Sequence, residues 1–315
     1  MNTINTSIKE FIGHCTFEKN LSQKTIKFYT IDLMQFKKFL IERKYPIEVE
    51  KVSKFELRKY LEEIAHLKPK SIKRKIATLK AMFNYLEFED KITSNPFRKM
   101  RIKIKEEKNL PKVMDIAEIE KIFKIAYKDT NLIKDKDTYL YFESVRNIVV
   151  IELLFSTGAR VSEIANIRAE NLNLSSGVLL IKGKGNKERI IQICNEESLK
   201  ILNEYSHLFK DKIISSGGFF LVNRFGAKLS DQSIRTIVKN IAIKAGVNKH
   251  ITPHIFRHSL ATLLLEEDVD IRFIQKILGH SSIMTTQIYT HVNKEKQKQI
   301  LIAKHPRKDV IIYHC

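Results

Sequence analysis

Only one stretch of this 315-residue chain reads as a β-hairpin, and that restricts the fold more than any other feature. Val178-Leu179-Leu180-Ile181 has the composition of a buried strand, and Gly183-Lys184-Gly185-Asn186 supplies turn residues. Arg189 to Ile193 makes the return strand, so the hairpin spans Gly177 to Ile193. Phe219 to Val222 offers one further extended segment. Elsewhere apolar residues recur at helical spacing, punctuated by glycine and proline. The expected fold is mainly α, with a small antiparallel β-sheet.

The first hundred residues read as four helices with short connections, enough for a bundle. Ile4, Ile8, Phe11 and Cys15 stripe the first, and Ser22 caps a second that buries Tyr29, Leu33, Phe36 and Leu40. Ser53 and Glu56 have capping-box spacing before Leu57, Tyr60, Leu61 and Ile64. A fourth helix follows Pro69, with Ile72, Ile76, Leu79, Phe83 and Leu86 turned inward. Asn95-Pro96 closes the bundle, and the charged run from Arg98 to Lys112 reads as a linker. The division is therefore 1–100, a linker at 101–112, and 113–315.

Beyond the linker, Asp115 and Glu118 cap a new helix. After a loop around Asp129–Asp137, a long apolar helix runs from Tyr141 to Phe155 and stops at Gly158; another begins with Val161. Ser230 caps a helix through Ile234, Val238 and Ile241 that ends at Gly246, and Pro253 opens one running to Leu265. Ile271, Ile274 and Leu278 then share a face, and Gly279 stands where a helix C-cap needs a left-handed residue.

Lys and Arg number 56 against 36 Asp and Glu, a formal charge of +20 shared evenly by the two halves. That distribution suits two domains gripping one polyanion, such as a nucleic acid. The sharpest cluster, Lys68, Lys70, Lys73, Arg74, Lys75 and Lys80, contains no acid. Lys70, Lys73 and Arg74 share a face away from the apolar stripe and are candidate phosphate contacts. No apolar run approaches the roughly 18 residues of a membrane span, and no signal-peptide pattern opens the chain, so a cytoplasmic protein is expected. Cys15, Cys194 and Cys315 match no zinc pattern and read as reduced thiols.

Taken in order, TGARVSE at 157–163, KGKGNKER at 182–189, HIFRHSLAT at 254–262 and LGHSSIMTTQIYTH at 278–291 resemble the tyrosine recombinase (phage integrase) family, most closely its Xer-like members. The resemblance covers the whole of 113–315 as the catalytic domain. The helical 1–100 segment fits the family's SAM-like core DNA-binding domain. It puts catalytic roles on Arg160, Lys184, His254, Arg257, His280 and Tyr289, with Glu163 as an acidic helper. Glu163 would orient Arg160 or a neighbouring histidine, or serve structure alone; His258 reads as structural.

The chemistry suits these residue types. A tyrosine hydroxyl, with an unperturbed pKa of about 10, needs cations and proton acceptors around it to attack. Attack on a phosphodiester loads charge on its non-bridging oxygens, which guanidiniums match with a two-pronged fork. Lys184 on the hairpin tip would protonate the leaving 5′ oxygen, His254 would accept or shuttle a proton, and His280 would donate a hydrogen bond. This account calls for no metal and no cofactor. By resemblance, the partners are double-stranded DNA with paired inverted-repeat half-sites and further copies of the chain, four on two DNA sites. The copies would exchange strands through a Holliday junction, with a related recombinase or accessory protein as a further possible partner. The purpose would be chromosome dimer resolution or mobile-element integration and excision. A type IB topoisomerase, or a DNA-binding accessory protein without chemistry, is the alternative. The tail from Asn293 to Cys315 ends in Val310-Ile311-Ile312-Tyr313, which is expected to dock on its own domain or on a neighbouring protomer.

Overall fold

A computed structural model describes residues 2–106, 112–136, 138–183 and 188–279. The chain forms two compact units, Met1–Asn109 and Leu110–Cys315. In the first, helices α1 (Ile4–Phe17), α2 (Gln23–Glu42), α3 (Lys54–Glu63) and α4 (Pro69–Phe88) surround Phe11, Leu33, Phe36, Leu40, Leu57 and Phe83. Local signals set their starts. Ser22 accepts the Thr25 N–H, Glu56 closes a capping box with Ser53, and Pro69 occupies the first turn of α4.

Two features of this unit are not marked by the sequence. The basic cluster on α4 does have a carboxylate, supplied by α2: buried Asp32 accepts from Arg74 Nη1 at 2.6 Å and from Lys75 Nζ at 3.1 Å. Lys75 is itself buried, and Lys73 pairs with Glu106 at 3.1 Å, whereas Lys70 is exposed. A burying fold must bring an acid to a buried ammonium, and 43 positions of sequence separate the two. The charged run after Asn95 also carries apolar side chains that pack on the bundle. Phe97 is buried in the bundle core, and Met100, Ile102 and Ile104 pack against it in alternation, so the segment up to Glu106 lies on the first unit.

In the second unit, α6 (Tyr139–Thr157) is the central element, and residues all around it are buried. Packed against it are α5 (Ile116–Asn131), α7 (Val161–Ala165), α8 (Glu196–Leu208), α10 (Asp231–Lys244) and α11 (Pro253–Glu266). The short α9 (Lys210–Ser215) follows α8, and α12 (Ile271–Leu278) lies on α11 through Ile274, Leu278 and Ala261. The sequence assigned no element to α8 or α9, and α5 runs past the loop expected at Asp129. Asp115 and Glu118 form the capping box of α5.

The hairpin is present as β2 (Val178–Lys182) and β3 (Glu188–Gln192), with a two-residue strand β1 (Leu172–Asn173) added beside β2. All pairs are antiparallel, and the register sets Leu179 opposite Ile191 and Ile181 opposite Arg189. Phe220, Leu221 and Val222 are buried, but this segment makes only isolated bridges, from Phe219 to Arg168 and from Val222 to Lys228. Among the described residues, no helix is long and apolar enough to cross a membrane.

Candidate active site

Two left-handed glycines shape the site. Gly158 ends α6 with φ 56°, and Gly279 ends α12 with φ 65°. An L side chain at either position would be strained and would strike neighbours: Leu278 and Leu260 at Gly158, the Arg189 guanidinium at Gly279. The chain can therefore turn sharply at both points. The turn at Gly158 sends Arg160 into the N-cap position of α7, three residues before Glu163.

Glu163 is buried, at 5% exposure, and saturated with donors. Its Oε2 accepts the Arg160 backbone N–H at 2.9 Å, and its Oε1 accepts Arg160 Nη1 at 2.8 Å. A second cation, Arg189 Nη2, donates to Oε2 at 2.8 Å. Burial pushes the Glu163 carboxyl up, but the hydrogen bonds from Arg189 and Arg160 outweigh it and hold the group below the usual carboxylate range. Of the roles left open for Glu163, the structure places it on Arg160 and on Arg189.

Arg257, on α11, is 3% exposed. Its Nη1 donates to the Gly158 carbonyl at 2.8 Å and its Nη2 to the Leu278 carbonyl at 2.7 Å. The expected fork on phosphate is thus turned, in this structure, onto two backbone carbonyls. A buried guanidinium must find acceptors, and the freed carbonyls at two helix ends provide them. The last carbonyls around the α12 terminus each meet a different arginine: Ile277 takes Arg189 Nε at 2.8 Å, Leu278 takes Arg257, and Gly279 takes Arg160 Nη2 at 3.5 Å. Three cations at the negative end of a helix dipole fix the point from which the chain leaves toward residue 280.

His254 stands exposed on the first turn of α11, its ring 6.3 Å from that of His258. Partial desolvation, then the nearby charges of Arg257, Arg160 and Arg235, lower the His254 pKa. These surroundings favour the neutral imidazole, the form that can accept a proton. His258 is pushed down to about 4, first by burial, then by His254 and Arg257. Among the described residues, no group of three or more His, Cys, Asp and Glu side chains is placed to hold a metal ion.

The fold thus brings together Arg160 and Glu163 from the start of α7 with His254 and Arg257 from α11. Lys184, His280 and Tyr289 lie outside the described residues, as does the tail from Asn293; β2 ends two residues before Lys184, and α12 with its Gly279 cap ends immediately before His280. Lys70, Lys73 and Arg74 belong to the other unit. Sequence reasoning missed Arg189, although it closes the quoted KGKGNKER run. Its signal was an arginine two residues before Ile191, on the inward phase of the return strand.

The phage integrase family model matches residues 112–296, and the family's N-terminal SAM-like domain matches residues 8–90. A tyrosine recombinase of Agathobacter rectalis is 47% identical over 311 residues, covering 98% of this chain and 99% of the relative. The tyrosine recombinase XerC of Listeria innocua is 35% identical over 306 residues, covering 95% and 97%. Among solved structures, the XerH site-specific recombinase bound to a palindromic difH substrate, in a post-cleavage complex, aligns with a TM-score of 0.70 at 23% identity. That alignment covers 95% of this chain and 84% of XerH and reports on the fold.

Proposed function

We propose, on the premise that this chain belongs to the phage integrase family and is a tyrosine site-specific recombinase, that Tyr289 cleaves and rejoins DNA through a 3′-phosphotyrosyl link. The observation that carries this reading is the gathering of Arg160 and Arg257 on the helix end that precedes His280, with His254 near enough to both for their charges to lower its pKa. Cations are what an in-line phosphoryl transfer needs most. The Tyr289 oxygen attacks phosphorus, and its proton passes to His254. The bond to the 5′ oxygen breaks, and Lys184 protonates that oxygen as it leaves. Arg160 and Arg257, with a hydrogen bond from His280, stabilise the charge on the non-bridging oxygens. Attack by a 5′ hydroxyl from a second duplex reverses these steps and restores a phosphodiester. One bond is made for each one broken, so no energy source is needed.

The partner is double-stranded DNA with inverted half-sites, each held by one protomer. Two sites in synapsis engage four protomers, and exchanging one strand pair before the other produces a Holliday junction. Residues 1–100 form the core DNA-binding domain, 101–112 the link and 113–315 the catalytic domain, with exposed Lys70 the phosphate contact best presented by the bundle and Lys73, paired with Glu106, a second. Arg74, already engaged by Asp32, contributes charge with less freedom to move. The protein acts in the cytoplasm.

Tyr289→Phe tests the central assignment. The change removes one oxygen, so gel-shift binding of a DNA site is expected to persist while the denaturation-resistant protein–DNA adduct disappears. An adduct formed by the variant would refute the role of Tyr289.

A further inference from the structure

Arg189 has no part in the chemistry just described, yet its setting is as built as that of any residue in the site. It enters from β3, opposite buried Ile181, and its side chain is only 11% exposed. One edge of the guanidinium reaches Glu163 Oε2 at 2.8 Å, and its Nε reaches the Ile277 carbonyl at 2.8 Å. A planar group with donors in fixed directions can hold both acceptors at once, whereas an ammonium offers a point charge. The glycine at 279 leaves the space that the guanidinium occupies, since a Cβ there would lie 2.9 Å from Nη1.

Charge gives this geometry its meaning. Arg160 and Glu163 alone form a closed pair with no net charge, hydrogen-bonded at 2.8 Å. A guanidinium neutralised by its own helper is a weak ligand for a phosphate gathering negative charge. With Arg189 included, the trio carries one net positive charge, and the second cation sits on the side of Glu163 away from Arg160 Nη1, on the other oxygen. Glu163 can then hold Arg160 in place without consuming its charge.

We propose that Arg189 is a further positioning residue for strand cleavage: it carries the countercharge of Glu163, so that Arg160 keeps its positive charge for the non-bridging oxygens of the scissile phosphate. This rests on Arg160 being a phosphate ligand, as in the proposed function. Arg189 touches neither DNA nor the reacting atoms and acts through Glu163. The Ile277 bond makes the arrangement permanent, since Arg189 is already oriented before DNA arrives and no reorganisation is needed during the reaction.

The test uses the full chain and a nicked duplex carrying a site that the unmutated protein selects from a randomised DNA pool. Single-turnover adduct formation gives the cleavage rate and the half-saturating DNA concentration. Arg189→Gln is expected to slow cleavage roughly 100-fold, the scale of losing one electrostatic stabiliser, with the half-saturating concentration unchanged. The double variant Glu163→Gln, Arg189→Gln removes both charges together, and Gln still offers an acceptor to the Arg160 N–H. It is expected to be at least about tenfold faster than Arg189→Gln alone, the non-additivity of a coupled pair. Arg189→Lys, which keeps the charge and gives up the fork, should fall between Arg189→Gln and the unmutated chain. A methylphosphonate at the scissile position, lacking one charged oxygen, should narrow the gap between Arg189→Gln and the unmutated chain.

A purely structural Arg189 would make the double variant as slow as Arg189→Gln or slower, and either result overturns the proposal. So does an unmutated rate in Arg189→Gln. Absence of adduct from the unmutated chain is a different failure: it overturns the proposed chemistry, and the Arg189 proposal with it. Gel-shift binding and circular dichroism of each variant identify misfolding, and an Arg189→Lys protein that folds but cleaves no faster than Arg189→Gln also counts against the charge argument.

Discussion

Replacing Gly279 with alanine should loosen the end of α12 and slow cleavage together, by an amount the structure allows to be worked out. At φ 65° an L residue sits in the left-handed region, at a cost of roughly 1–2 kcal/mol. The new Cβ would lie 2.9 Å from Arg189 Nη1, 3.1 Å from Cδ and 3.2 Å from Cζ. Arg189 is bonded at both ends, so relief means giving up a charge-assisted hydrogen bond, worth roughly 1.5–3 kcal/mol. Gly246 is the natural comparison, because it has φ 66° but no atom within 4 Å of a built Cβ. Gly246→Ala therefore carries the backbone strain alone. Amide hydrogen exchange reads both sites: relative to the unmutated chain, the peptide covering 271–279 should lose more protection in Gly279→Ala than the peptide ending at 246 does in Gly246→Ala. The excess should be roughly 2 kcal/mol, about thirtyfold in the opening equilibrium. Cleavage should slow in Gly279→Ala and not in Gly246→Ala. Equal losses of protection, or an unchanged cleavage rate in Gly279→Ala, would refute the claim that Arg189 is pinned beneath this turn.

Lys184→Ala should block cleavage of ordinary DNA yet act on a substrate with a 5′-bridging sulfur, because a thiolate leaves without a proton; no rescue would make Lys184 a binding residue. Lys70→Ala should flatten the log K against log[salt] slope by about 0.9, with Lys73→Ala and Arg74→Ala doing less because Glu106 and Asp32 already pair with them; an unchanged slope in all three would put the DNA face elsewhere. Stability of the second unit should fall as pH drops below neutrality. His258 has its folded pKa depressed from 6.5 to about 4, so its contribution is present above 6.5 and is lost as pH falls toward 4, with a ceiling of roughly 3 kcal/mol. His254 works in the same direction, and urea unfolding of His258→Gln between pH 7 and pH 4 should show a shallower decline than the unmutated chain.

Much of this protein was determined by neighbours in sequence. The capping boxes Ser53–Glu56 and Asp115–Glu118, the proline start of α4 and the glycine stops at 158 and 279 each depend on atoms within four residues, so they could be read off directly. The hairpin strands were legible for the same reason, since alternation and turn residues lie within one short run. The candidate residues Arg160, Glu163, His254 and Arg257 came from the resemblance of their motifs to the phage integrase family, and phosphoryl chemistry suits guanidiniums and an imidazole. Which partner each would hold was not legible.

Tertiary structure decided that Arg257 would spend its donors on the carbonyls of Gly158 and Leu278, groups every residue possesses and no sequence pattern marks. It decided that Asp32 would answer Arg74 and Lys75 from another helix, and that Arg189 would join Glu163 across 26 residues. It also decided that Met100, Ile102 and Ile104 would pack on the bundle rather than run free. The common reason is burial. A charge or a methyl group withdrawn from water must be matched by whatever the fold brings to it, and that choice is made between segments, beyond the reach of any local pattern.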